Sequence, residues 1–472
     1  MKRPVWILHV FVVGLALHNF AMAELYAAGV RGTALDVVSA WKEALLALAL
    51  MLVLRARGSL RFAPAPIDWL ALAYGALVVL YAVLPQHWLG GGATHKGVLF
   101  GLRHDLLPVA AYFLGRGLVL SVRDLRLLGA TVLATAAGVA AFGLVDVYAI
   151  PLSWWRHSGA PGWFSRQLGF DYQGVSGLPE NFLYNTGDER PLRRLVSTFL
   201  SPLASSYVFV VALLLAAAWR LRTRAPLALW LPTTALLFAG LLWTHSRASY
   251  LALALGLLAY AWVRPQWRLG LVAGAIFVVA AGFVFIKAYP HIGPRTTYTR
   301  HELECQRRHA HPNIGGPPLD CGYVASAVRG SRSLQDGIEA AGGAAVDPNG
   351  ISDVSTESHW RSLRDGIETV VKHPQGYGLG NAGSTAARTD VQIKAGESTY
   401  TELGVDTGLL GGLLFIAWSL LLLRRVLRCT AWLGAALVAV LALGLQTDVI
   451  GVPWLVYVLW PLAGWRVSHP EV

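Results

Sequence analysis

Apolar stretches of about 20 residues, the length that crosses a hydrocarbon core of about 30 Å, recur along this chain from Pro4 to Trp465. A soluble core has no room for so many. In lipid each stretch must satisfy its own backbone hydrogen bonds, which leaves helices or barrel strands, and the length selects helices. About twelve windows fit: 4–23, 36–54, 67–85, 105–122, 127–149, 196–219, 226–243, 246–263, 269–287, 398–423, 430–447 and 449–465. Charged residues fill only 14% of the 472 positions, against roughly 25% in a soluble domain. The expected fold is all-α, a polytopic integral membrane protein of about twelve transmembrane helices with one large periplasmic loop.

The basic residues give the orientation. With a cytoplasmic N-terminus, the inner segments carry Lys2 and Arg3, then Arg55, Arg57 and Arg61, then Arg116, Arg123 and Arg126, then Arg220, Arg222 and Arg224. Arg264 and Arg268, then Arg424, Arg425 and Arg428, and finally Arg466 fall on the same side, with Asp124 almost alone as a counter-charge. This satisfies the positive-inside rule at every crossing and puts both termini in the cytoplasm. The formal charge of +12 thus reports topology rather than a nucleic-acid partner, since no continuous basic face exists. Met1–Ala23 also has the pattern of a secretory signal, ending in Ala-Met-Ala before Glu24. It is read here as the first span.

The chain then divides into a bundle of about nine helices over 1–287, which includes the outer connection 150–195, a large loop over 288–397, and about three helices over 398–472. The large loop holds Cys305 and Cys321, for which an oxidising compartment makes a disulfide the expectation, with two free thiols as the alternative. His301, His309 and His311 lie nearby, but neither a CxxC nor an HxxxH spacing is present and no metal is expected. Residues 355–372 read as an amphipathic helix, with Trp360, Leu363, Ile367 and Val370 on one stripe. It stops at His373-Pro374, before the run Gly376-Tyr377-Gly378-Leu379-Gly380, which lacks the Lys-Ser/Thr of a P-loop. Neither internal repeats nor clearly broken spans are evident.

Ionisable residues at span ends are candidates for function, because an uncompensated charge in hydrocarbon is expensive. Arg103 before the fourth span, Arg194 before the sixth, Arg247 at the start of the eighth and Glu397 at the start of the tenth all fall on the outer side. One such arginine would be read as a snorkelling anchor. Three, on the side that positive-inside bias depletes, with a carboxylate beside them, suggest a shared site. Guanidinium groups suit phosphate because they stay charged and bind it bidentately. Glu397 is a candidate general base, with ion pairing to one of the arginines as the alternative. Asp36, Lys42, Glu43, Asp146, Asp406 and Asp448 near span ends are weaker candidates, which a proton-relay or transporter reading would use and whose spacing does not separate that from local capping or pairing.

Several segments resemble the O-antigen ligase and O-antigen polymerase superfamily of bacterial inner-membrane glycosyltransferases. They are Arg194-Leu195-Val196-Ser197-Thr198-Phe199 with Pro202, then Thr244-His245-Ser246-Arg247-Ala248, then His373-Pro374 with the Gly-rich run, then Tyr400 through Asp406-Thr407-Gly408-Leu409-Leu410-Gly411. The likeness covers about residues 190–415. Ligases of the superfamily commonly carry His-Asn where this chain has Glu397-Ser398, and a Glu-Ser start is more like the polymerases. The resemblance implies transfer of a glycan from an undecaprenyl-pyrophosphate-linked donor to a sugar hydroxyl of a glycan acceptor at the periplasmic face of the inner membrane. It implies a metal-independent, inverting reaction without a cofactor. Arg194 and Arg247 would hold the pyrophosphate, with Arg103 as a third contact, and Glu397 would activate the acceptor. Trp360 and Tyr400 are candidates for stacking on sugars, with anchoring at the membrane interface as the alternative. The lipid bilayer is the surroundings, and a chain-length regulator is among the partners such an enzyme would take. Ligation to lipid A core or a protein, and flipping of lipid-linked oligosaccharide without covalent chemistry, are the rival readings.

Overall fold

The computed structural model describes residues 5–57, 64–170, 178–179, 182–184, 192–223, 226–294 and 354–469. Cys305 and Cys321, with the disulfide expected between them, lie outside the described residues. The long helices are α1 Trp6–Ala27, α2 Thr33–Ser39, α3 Trp41–Arg57, α4 Pro66–Val83, α5 His95–Gly117, α6 Val122–Ala149 and α7 Pro202–Thr223. They continue as α8 Leu227–Trp243, α9 Arg247–Val263, α10 Arg268–Ile292, α11 Val354–Lys372, α12 Thr399–Cys429, α13 Ala431–Leu443 and α14 Pro453–Ser468. A two-stranded antiparallel ribbon pairs β1 (Leu183–Tyr184) with β2 (Leu192–Arg193).

Each apolar window overlaps one of these helices, and α11 is the amphipathic helix expected at 355–372. Among the described residues seven helices are long and apolar enough to cross a membrane, and α2 with α3, bent by 42°, makes an eighth crossing if taken as one span. The apolar helices α8, α9 and α13 are shorter, at 17, 17 and 13 residues. This is a multi-pass membrane protein. On α10, Leu269, Ile276, Phe277, Phe283 and Val284 are exposed along its length, a face that water would not tolerate and that lipid requires.

Local chemistry sets where the helices start. Asp124 accepts from the Ser121 backbone N–H at 2.8 Å while the Asp124 N–H donates to the Ser121 hydroxyl at 3.2 Å, a capping box that starts α6. Asp124 is therefore spent on a cap. Pro66 stands at the first turn of α4, and Asp68 accepts from the Ala65 N–H at 2.7 Å. Asp68 also takes two hydrogen bonds from Arg116, at 2.8 and 2.7 Å, and one from Tyr112 at 2.6 Å. Arg116 is thus a buried, fork-bonded group and not only a topological charge.

Packing is tightest between α5 and α14. A Cβ on Gly115 would strike the Pro461 carbonyl and one on Gly464 the Tyr112 carbonyl, so small residues let the two backbones meet. The centre of the bundle is α7, with 83% of its apolar window buried, whereas α10 at 28% is peripheral. One end of the bundle gathers the irregular segments. It carries the starts of α3, α5, α9, α12 and α14 and the ends of α1, α4, α6, α8, α10 and α13, tied by contacts such as Thr399 N–H to Gly444 O at 3.0 Å and Arg193 N–H to Pro294 O at 3.0 Å. We call it the loop end.

Candidate functional site

The segment after β2 is held from several sides. Arg194 N–H donates to Phe182 O at 3.2 Å and Leu195 N–H to Trp243 O at 2.9 Å. Side chains alternate along an extended strand, so the two adjacent arginines part company. Arg193 turns to Asp146, with Nη2 at 3.1 Å from the carboxylate, and donates from Nη1 to Ile150 O at 2.8 Å; Trp155 also donates to that carboxylate at 2.6 Å. Arg194 turns the other way and donates from Nε to Thr244 O at 2.9 Å.

That carbonyl belongs to the tight turn between α8 and α9. His245 takes φ +54°, a conformation uncommon for residues other than glycine, and its ring stacks on Tyr289 at 5.1 Å. Ser246 precedes α9, whose first residue is Arg247. Arg194 and Arg247 are both within electrostatic reach of Tyr250, so the fold brings together two arginines 53 positions apart in the sequence. Ser197 and Glu397 also have positive φ, at +51° and +67°. Such backbone clusters at functional sites because the surroundings must hold it in place.

The Gly-rich run and the Asp406-Thr407-Gly408 motif interlock. Gly408 has φ +73° and ψ +173° inside α12, which breaks the helix there. Leu409 N–H donates to Pro374 O at 2.8 Å and Tyr377 N–H to Val405 O at 2.7 Å, so the 374–377 turn satisfies groups that the break releases. The sequence reading found no broken span; the structure corrects this. Gly at 408 relieves the strain of a left-handed φ, and a side chain there would also strike Pro374 and Gln375. On the same turn Asp406 accepts from the Gly380 and Asn381 N–H groups at 3.3 and 3.2 Å.

Beside this knot lies a group of acids around one histidine. His104 of α5 has Nδ1 at 2.7 Å from Asp105 and Nε2 at 2.9 Å from Asp448, which sits between α13 and α14. An imidazole donates to both only when both nitrogens carry protons. Burial pushes the Asp448 carboxyl up, but His104 and the Ile450 and Gly451 N–H groups outweigh it and hold it below the usual carboxylate range. Glu402 and Asp406, one helical turn apart on α12, are buried and within electrostatic reach of this group. Asp105 Oδ2 is buried with no hydrogen-bond partner among the described residues. Tyr207 of α7 is within electrostatic reach of both Asp448 and Arg194, which links the acids to the arginines. Among the described residues no three or more His, Cys, Asp or Glu are arranged to hold a metal ion.

The other expected site residues are placed as follows. Glu397 is exposed in the turn before α12, with Oε2 at 2.7 Å from Nδ1 of His359 on α11. Among the described residues its ion-pair partner is a histidine rather than an arginine. Arg103 lies within α5, which begins eight residues before it at His95, and pairs with Glu43 at 2.6 Å. Tyr400 donates its hydroxyl to Leu441 O at 2.7 Å, tying α12 to α13, while Trp360 is exposed on α11. His104, Asp105 and Glu402 escaped the sequence reading. The signal was present, since all three are ionisable groups in or against apolar windows. His104 and Asp105 fall at the edge of the 105–122 window, where a charge reads as a flank.

Fold and site together define a multi-pass helical membrane protein with arginines, carboxylates and a histidine collected at one end of its bundle. Residues 232–416 match the family model described as O-antigen ligase, which supports a likeness to the O-antigen ligase and polymerase superfamily. The match spans Arg247, Glu397, Glu402, Asp406 and the break at Gly408; Arg103, His104, Arg194 and Asp448 lie outside it. It supports an O-antigen ligase or polymerase type of function. No curated protein matches the chain.

Proposed function

We propose that the protein is a glycosyltransferase of the bacterial inner membrane, with its loop end at the periplasmic face and both termini in the cytoplasm. It takes a glycan from undecaprenyl pyrophosphate and joins it to the terminal sugar hydroxyl of a second lipid-linked unit, polymerising O-antigen, capsule or exopolysaccharide repeats. Arg194 and Arg247 bind the donor pyrophosphate and stabilise the charge that grows on it as the sugar–phosphate bond breaks. Glu397 accepts the proton of the attacking hydroxyl, with His359 orienting its carboxylate and sharing the charge. Attack opposite the leaving group inverts the anomeric centre. With two guanidinium groups on the leaving pyrophosphate, the step is metal-independent. The observation that carries this reading is the docking of Arg194 on the Thr244–Arg247 turn, which supports a two-arginine anion site beside carboxylates at the membrane boundary.

The test is direct: incubate the purified protein with lipid-linked repeat unit and analyse the products. Ladders of repeats on the polyprenyl carrier are expected, and their absence, with carrier-linked glycan returned intact, would defeat the reading. A second reading is ligation of the glycan to lipid A core or to a protein, favoured by the description of the matched family. It predicts consumption of carrier-linked chains only when that acceptor is added.

A further inference from the structure

The helix that carries His359 to Glu397 presents three faces of different character. α11 runs alongside the first segment of α12. His359 meets Glu397, a Cβ on Gly366 would strike Thr401, one on Gly404 would strike Val370, and Pro374 O accepts from the Leu409 N–H at 2.8 Å. The side that carries Gly366 and Val370, both buried, therefore faces the bundle. Trp360, Ile367 and Val371 lie elsewhere, 71%, 52% and 64% exposed. At about 100° per residue these three fall within about 40° of arc, with the bundle face about 100° to one side of them. Arg361, Asp365, Glu368 and Lys372 gather about 110° to the other side, where Lys372 pairs with Glu368. A stripe of large apolar side chains thus separates a packed face from a charged one.

Water suits the charged face and not the stripe. The stripe ends against the membrane spans. Val371 stands three residues before Pro374, whose carbonyl holds the first turn of the α12 shaft, and the next carbonyl, of Gln375, accepts from the Tyr81 hydroxyl at 2.5 Å near the end of α4. On that shaft Leu409, Leu410 and Leu413 are exposed, as are Leu80 and Val83 on α4, and both helices are long and apolar enough to cross the membrane. Lipid covers such residues, so the stripe leads directly off the lipid-facing surface of the bundle. Tryptophan at its other end is the residue type most enriched at the membrane interface. We propose that the lipid leaflet at the loop end covers Trp360, Ile367 and Val371, so that the bilayer itself is the partner that seats α11 and, through it, holds His359 against Glu397. The charged face then lies among headgroups and water. The seat in lipid stands on this geometry alone, while its effect on transfer rests on the reading of Glu397 as the base.

Photo-crosslinking of the full-length protein in phosphatidylcholine nanodiscs reads the seat without requiring turnover. Benzoylphenylalanine is placed singly at Trp360, Ile367 or Val371, or at Asp365 or Lys372, and adducts are identified by mass spectrometry. Phospholipid adducts are expected at the three stripe positions and several-fold fewer at Asp365 and Lys372. Equal yields on the two faces, or stripe adducts to peptides of this chain or of a second copy in place of lipid, would overturn the proposal. Coupling to the site is read by turnover. Ile367→Glu should lower transfer about as far as His359→Gln, with affinity for undecaprenyl pyrophosphate unchanged, and Ile367→Leu should retain wild-type transfer. Combining Ile367→Glu with His359→Gln should cost little beyond either alone, because both remove the same contact; a merely structural loss at Ile367 would instead multiply with that of His359. Losses that multiply would overturn the coupling. A protein that forms the expected lipid adducts and transfers no glycan would defeat the transferase reading and leave the lipid seat standing.

Discussion

The two ends of the bundle bury charge in opposite ways. At the end where α5 finishes, Arg116 and Asp68 make a fork-bonded pair in which one cation meets one carboxylate, and Tyr112 and Ser468 take up further bonds. At the loop end, Asp105, Glu402, Asp406 and Asp448 crowd together around one histidine, His104, with Tyr207 within electrostatic reach of both Asp448 and Arg194. The first arrangement is closed by direct pairing of cation and carboxylate. Among the described residues the second has no such one-to-one pairing, which is the contrast expected between charges that hold helices together and charges placed for a substrate.

The contrast breaks if substitutions at the two ends behave alike. Asp68→Ala should cause the largest loss, about 3–5 kcal/mol of stability, because it leaves a buried guanidinium unpaired. It should reduce the folded yield while the folded fraction keeps its specific activity; thermal unfolding and turnover on the same sample check this. Arg247→Ala and Arg194→Ala should do the reverse. Each is expected to lower transfer by about a hundredfold or more, in line with roughly 3–4 kcal/mol for a lost developing-charge contact, while the protein still inserts in the membrane. Normal turnover in both would end the assignment of a donor site.

Finer changes sharpen the comparison within the loop end. Glu397→Gln should reduce transfer by about a hundredfold, the lower end of the range for acid–base catalysis, with donor affinity unchanged. If donor binding fell in parallel, Glu397 would be a structural partner of His359 rather than a base. Gly408→Ala should destabilise by about 1–3 kcal/mol from backbone strain alone, since φ +73° with ψ +173° is a region essentially confined to glycine, and by more from the clash of its Cβ with the Pro374 and Gln375 backbone, measured as a shift in thermal unfolding. The smallest effect is one of pH. Asp448 is held below its unfolded value, so its contribution is complete above about pH 4 and fades as pH falls through the folded value. Asp448→Asn should be less stable than wild type at neutral pH, and the gap should close in acid. A gap that stays constant with pH would show that His104 does not depend on that charge.

The helices themselves were legible, because hydrocarbon imposes a length and a composition that a window can read. Arg194, Arg247 and Glu397 stand out in the sequence from their place in segments that resemble one superfamily, and their roles are what the substitutions above test. The partners were not legible. Nothing in the neighbourhood of Glu397 points to His359, because α11 and the turn before α12 meet only in the fold. Arg193 and Arg194 look equivalent as a pair, and only the alternation of an extended strand sends one to Asp146 and the other to Thr244. His104 and Asp105 were read past for a third reason: α5 begins at His95, in a segment too polar and glycine-rich for a hydropathy window to include.

The break at Gly408 divides α12 into a short segment from Thr399 and a long shaft that runs to Cys429. The short segment is bonded to the 374–381 turn through Val405 and Asp406, while the Leu409 N–H of the shaft reaches Pro374. Glu402 and Asp406 therefore sit on a splinted piece of helix: one end is pinned to the turn, the other to α13 through Thr399 and Tyr400, so the break at Gly408 fixes these carboxylates independently of the shaft that continues across the bundle.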